Sequence, residues 1–122
     1  MILVVDDDTK MAETLKRTLE RRGYSVRCAS DGGEAYRLIK TQECECMLLD
    51  INMPRINGVE LLLLMQSENI QVPTIIMAGF DDYEEQEMHL FNSVTHFFRK
   101  PFGVNELMTA INRSLAHCTA PA

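Results

Sequence analysis

Short apolar runs separated by helix-patterned segments constrain this chain more than any other feature. Residues 2–5 (Ile-Leu-Val-Val) and 47–49 are continuous apolar runs, the pattern of strands buried on both faces, and Thr74 to Met77 reads as a fourth strand. Residues 24–29 alternate like a second strand, and residues 95–98 form a fifth. Between them, apolar residues recur at helical spacing: Met11, Leu15 and Leu19; then Ala35, Leu38 and Ile39; then residues 59–65; and last Val104, Leu107, Met108, Ile111 and Leu115. Strands that alternate with helices join through right-handed crossovers and form a parallel sheet covered on both faces. The expected class is α/β, one doubly wound domain with five parallel strands.

Local signals punctuate the pattern. Asp8 suits the cap of the first helix, and Gly23 ends it, since glycine takes left-handed geometry cheaply. Asp31 with Glu34, and Asn57 with Glu60, predict two further helix starts. Residues 52–58 read as a loop broken by Pro54 and Gly58, and Pro73 precedes the fourth strand. Residues 82–91 predict a weaker, acidic helix carrying Glu84, Glu85 and Glu87, equally readable as a solvated face or a partner surface. A chain of 122 residues suits one domain. Residues 1–117 are expected to form it, with 118–122 a tail or the start of a linker.

Composition excludes several classes of partner. The formal net charge is −6, without the basic footprint of a nucleic-acid binder or a ligand of anionic membranes. No run approaches the roughly 18 apolar residues of a membrane span, and the first residues lack the pattern of a signal peptide. A cytoplasmic location is expected. Cys28, Cys44, Cys46 and Cys118 lack zinc-site spacing and do not cluster with His89, His96 or His117; free thiols in a reducing compartment are expected.

Open parallel sheets bind ligands beyond the carboxyl ends of their strands. There the first strand delivers Asp6 and Asp7, the third Asp50, the fourth Ala78 and Gly79, and the fifth Lys100. Three carboxylates and one lysine from distant segments thus converge on one rim. Clustered carboxylates repel and call for a cation among them. Their oxygens suit magnesium. A carboxylate beside a metal and an ammonium group can attack phosphorus, with both cations neutralising the phosphoryl oxygens. Taken singly, Asp6, Asp7 and Lys100 carry little information, since such residues are commonly solvated. Asp50 at the end of a buried run needs a partner in any case.

Val4-Val5-Asp6-Asp7, Leu49-Asp50-Ile51-Asn52-Met53-Pro54 with Asn57-Gly58, and Lys100-Pro101-Phe102 together resemble the response-regulator receiver family, from Ile2 to about Leu115. The resemblance implies a flavodoxin-like (βα)5 fold with strand order 2-1-3-4-5. It implies that Asp50 accepts a phosphoryl group from a sensor histidine kinase or phosphotransfer protein. Asp6, Asp7, Asp50 and the main-chain carbonyl of Asn52 would hold Mg2+ or Mn2+, and Lys100 would partner Asp50 or its phosphoryl group, before a cis bond to Pro101. Such a protein promotes its own phosphorylation and slow dephosphorylation but is not a turnover enzyme. The family signals, and in places dimerises, through its fourth helix, fifth strand and fifth helix, and a C-terminal output domain often follows.

One position departs from the family. A threonine or serine usually ends the fourth strand; here it is Ala78, followed by Gly79. Phe97 stands where an aromatic side chain, often tyrosine, turns inward behind that hydroxyl. The Gly79 N–H remains available to a phosphoryl oxygen. Phe80 stands where the family controls the access of water. The departure supports an alternative, a pseudo-receiver that binds partners without phosphate. Asp6-Asp7-Asp8 also superficially resembles the DxD of haloacid-dehalogenase-like phosphatases, but Lys10 is unsuited to that motif and Asp50 would have no role.

Overall fold

The computed structural model describes residues 1–51, 58–79 and 91–119, with side chains to residue 115. Five strands, β1 (Ile2–Val5), β2 (Val26–Ala29), β3 (Cys46–Asp50), β4 (Thr74–Ala78) and β5 (Val94–Arg99), form one sheet in the order β2-β1-β3-β4-β5. Every neighbouring pair is parallel. Four helices are described: α1 (Thr9–Arg21), α2 (Gly32–Thr41), α3 (Gly58–Ser67) and α4 (Val104–Thr119). The helix expected over residues 82–91 lies outside the described residues, apart from Phe91, as do Phe80, the loop residues 52–57 and the cap at Asn57.

The two-residue period of a strand divides the core. Leu3, Val5, Met47, Leu49, Ile76 and Ala78 face α2 and α3. Ile2, Val4, Cys46, Leu48, Ile75 and Met77 face α1 and α4. The continuous apolar runs are explained by this sharing, since both faces of the central strands are buried.

Helix ends follow their local chemistry. Asp8 accepts the Lys10 and Met11 N–H groups at 3.1 and 3.2 Å, and Asp31 accepts that of Glu34 at 2.8 Å. Gly23 adopts φ +92° after α1, with Gly23 N–H donating to Glu20 and Tyr24 N–H to Leu19, at 3.0 and 3.2 Å. That turn consumes Tyr24 and Ser25, so β2 starts two residues later than the alternation predicts. On α1 the buried positions are Ala12, Leu15 and Leu19, with Met11 only half-buried. Val104 is a correction to the expected stripe of α4: it is 45% exposed. As the first helical residue it stands before the turn that packs on the sheet through Leu107 and Met108. α4 also runs on through Cys118 and Thr119, two residues expected in the tail.

Gly58 sits where a side chain would not fit. A Cβ there would lie 2.7 Å from Ile51 Cα and 3.0 Å from Ile51 O. Its N–H donates to that same carbonyl at 3.1 Å. The start of α3 is thereby pressed against the residue that follows Asp50.

Candidate functional site

The carboxyl ends of β1, β3, β4 and β5 meet at one rim, and backbone bonds fix their relative heights. Asp6 N–H donates to Ala29 O at 3.0 Å, Ile51 N–H to Met77 O at 3.2 Å and Lys100 N–H to Ala78 O at 2.7 Å.

Asp6 and Asp50 are buried, and Asp7 is exposed. One carboxylate oxygen from each lies within 4.8 Å of the others. The other pole is Lys100, whose Nζ donates to Asp6 Oδ2 at 3.4 Å and Asp50 Oδ2 at 3.5 Å. Burial alone disfavours the charged lysine. The charges of Asp50 and Asp6 and their hydrogen bonds outweigh that effect and leave its pKa above the ordinary lysine value. Asp6 also accepts the Asp8 N–H through Oδ1 at 2.9 Å, which orients its carboxylate. Asp6, Asp7 and Asp50 outnumber the Lys100 ammonium between them, so this cluster is acidic. An all-oxygen donor set at this spacing fits a hard divalent cation such as Mg2+. The Asn52 carbonyl lies outside the described residues.

Ala78 is fully buried at the end of β4, and Gly79 is half-buried beyond it. Phe97 is half-buried and packs against the same core cluster as Ala78. The Lys100–Pro101 peptide is cis.

Two features were not anticipated from the sequence. Lys100 divides its hydrogen bonds between Asp50 and Asp6, the shorter going to Asp6. Arg99 joins the rim as well: Nη1 donates to Gly79 O at 3.2 Å, and the guanidinium lies 5.2 Å from the Phe97 ring centroid. The alternation of β5 carried the signal, because Phe97 and Arg99 are two residues apart and share a face. Away from the rim, the cysteines are free thiols among the described residues: Cys28 and Cys44 half-buried, Cys46 buried. No helix among those residues is long and apolar enough to cross a membrane.

Known proteins share the fold and the sequence pattern of this chain. Response regulator MprA of Mycolicibacterium vanbaalenii is 36% identical over 120 residues, which cover 98% of this chain and 52% of the relative. MprA of Mycobacterium leprae is 34% identical over the same length. The chain thus spans about half the length of the curated relatives it matches. Among solved structures, the receiver domain of the Francisella response regulator 1452 is similar with a TM-score of 0.86 and 33% identity, covering 95% of this chain and 96% of that one. The NtrX receiver domain of Brucella abortus gives 0.84 and 26%, covering 94% and 98%. The family described as response regulator receiver domain matches residues 2–112. Sequence and topology agree, and the chain belongs to the response regulator receiver domain family.

Proposed function

We propose that Asp50 is a phosphoacceptor, charged by the phosphohistidine of a sensor histidine kinase or of a phosphotransfer protein. The observation that carries this reading is the placement of Asp50: buried at the end of β3, beside two further carboxylates, with the Lys100 ammonium 3.5 Å away. A carboxylate oxygen of Asp50 attacks phosphorus, the P–N bond to the donor imidazole breaks, and the departing ring takes up a proton. Asp6, Asp7 and Asp50, with the Asn52 carbonyl that the family pattern implies, would hold Mg2+ or Mn2+, which would supply positive charge to the phosphoryl oxygens. Lys100 neutralises them from the other side and holds Asp50 in place. The Gly79 N–H receives a phosphoryl oxygen, and Phe80 shields the product from water.

Phe97 and the surface of the expected acidic helix, β5 and α4 then pass the change to a partner, to a second copy in a homodimer, or to an output domain. The domain works in the cytoplasm, contacts neither nucleic acid nor membrane directly, and turns over no small-molecule substrate. Incubation with a small-molecule phosphodonor and Mg2+, followed by intact mass, tests the reading. One added phosphoryl group, lost in Asp50→Asn, is the expected result; an unmodified wild-type chain overturns it. Ala78 favours a second reading, a pseudo-receiver that binds partners without phosphate, and that same negative result would support it.

A further inference from the structure

A cavity of about 180 Å3 lies between α1 and the end of β2. Its apolar lining is Ala12 from α1, with Ala29 and the half-buried Cys28 from β2. Two half-buried charges of opposite sign line it as well: Lys16 from α1, and Glu34 from the first turn of α2. Neither makes an ion pair among the described residues, with the other or with a third group. The other carboxylates at the walls are already matched. Glu13 pairs with Arg17 at 3.5 Å, and Asp6 pairs with Lys100 at 3.4 Å. The Asp6 side chain is 0% exposed, so it closes the cavity without offering it an oxygen.

The two unmatched charges stand at opposite ends. Glu34 follows the carboxyl end of β2, near the rim. Lys16 is two turns along α1 from Thr9, a rise of about 10 Å. Glu34 accepts a hydrogen bond from Ser30 Oγ, at a long 3.4 Å. The Cys28 thiol between them feels both fields: burial raises its pKa, Lys16 works against the rise, and Glu13, Glu20 and Glu34 add to it. Opposite charges held apart across open space suit a molecule that carries both. A plain amine would meet the like charge of Lys16, and a plain acid that of Glu34. The volume equals about six waters at roughly 30 Å3 each, which limits the occupant to a small one.

We propose that this cavity binds a small amino acid as a zwitterion, its ammonium group at Glu34 and its carboxylate at Lys16. The carbon atoms between them lie over Ala12, Cys28 and Ala29. The site does not depend on the phosphoacceptor reading, because neither Glu34 nor Lys16 belongs to the acidic rim.

The test is amide NMR titration of the metal-free protein at low salt with glycine, β-alanine and 4-aminobutyrate, which space the two charges progressively. Butylamine and butyrate, which carry one charge each, complete the series. At least one amino acid should give saturable shifts at Ala12, Cys28 and Ala29, with the millimolar Kd expected of so few atoms. It should also slow alkylation of Cys28 but not of Cys44. Lys16→Met and Glu34→Gln should each weaken binding about tenfold or more, as the loss of a charged hydrogen bond predicts. Glu20→Gln removes a charge felt at the thiol from outside the cavity lining, and should change affinity by less than about twofold. Saturable shifts with none of the three amino acids overturn the proposal. So does butylamine or butyrate binding as tightly as the best amino acid, which marks a site for one charge alone. Affinity unchanged in either Lys16→Met or Glu34→Gln overturns it too, as does an equal loss in Glu20→Gln, which marks long-range attraction.

Discussion

Replacing Asp50 with asparagine removes a negative charge from a rim that has too many, and its effect on stability should reverse with Mg2+. Carboxylate oxygens of Asp6, Asp7 and Asp50 lie within 4.8 Å of one another. At an effective dielectric of about 20, two charges at that separation repel by about 3.5 kcal/mol. Lys100, 3.5 Å from Asp50, returns about 4.7 kcal/mol on the same scale. Asp6 alone cancels most of that attraction. Asp7 is exposed, so its repulsion is largely screened but keeps the same sign. Burial of Asp50 adds a desolvation cost. Without metal, the charge on Asp50 should therefore cost the fold about 1–2 kcal/mol, and Asp50→Asn should raise Tm in EDTA by about 4–8 °C. With Mg2+ at 100 times its Kd, wild type should gain about 2.7 kcal/mol, and the variant distinctly less. Thermal unfolding followed by circular dichroism, with EDTA and with Mg2+, measures both arms. A variant less stable than wild type in EDTA, or equal Mg2+ stabilisation of the two proteins, would refute the electrostatic argument.

Further outcomes follow from the structure. Gly58→Ala forces the start of α3 away from Ile51 and should cost about 1–3 kcal/mol in urea unfolding; because Ile51 follows Asp50, Mg2+ titration should show weaker binding as well. Burial pushes the Cys44 thiol up to about 11, so at pH 8 Cys44 should alkylate far more slowly in the native protein than in urea, as read by peptide mass mapping. Because the folded state keeps that proton while the unfolded thiol loses it near its ordinary value of 9.0, the contribution of Cys44 to stability should fall as pH rises from there towards 11. Ala78→Thr restores a hydroxyl beside Asp50, and phosphorylation should then produce larger amide shifts along β5 than in wild type; identical shifts in the two proteins would remove the hydroxyl from the account.

The fold was legible because burial on both faces leaves a one-dimensional trace. Runs such as residues 2–5 and 47–49 admit few other readings once helical spacing separates them, and the caps at Asp8 and Asp31 act through neighbours in sequence. The boundaries shifted where three-dimensional packing decides. β2 lost Tyr24 and Ser25 to the turn that closes α1. β5 gained Val94 through a register shift: Thr74 pairs with Val94 and Ile75 with His96, so Thr95 is left between them. There its hydroxyl lies 3.2 Å from that of Ser114 on α4. Such a bulge changes which face each later side chain occupies, and no alternation of residue types announces it. The strand order came from the family resemblance alone, since crossover rules fix handedness but not which strands are neighbours.

The site was legible to the extent that its logic is carried by strand ends. Asp6, Asp50 and Lys100 come together because each stands at or just beyond the carboxyl end of a parallel strand, and a parallel sheet brings those ends to one rim. Partner choice within the rim was not legible. Lys100 reaches Asp6 and Asp50 together, at 3.4 and 3.5 Å, and spacing in sequence does not encode a shared contact. Arg99 shows the same limit from the other direction. Its face follows from the position of Phe97, but its hydrogen bond to Gly79 depends on a long side chain folding back over a ring. The register pairs Arg99 with Ala78, so that side chain lies over the end of β4. The departure that the sequence displays most openly, a missing hydroxyl at Ala78, is therefore also the one whose structural consequence had to be read from a neighbouring strand.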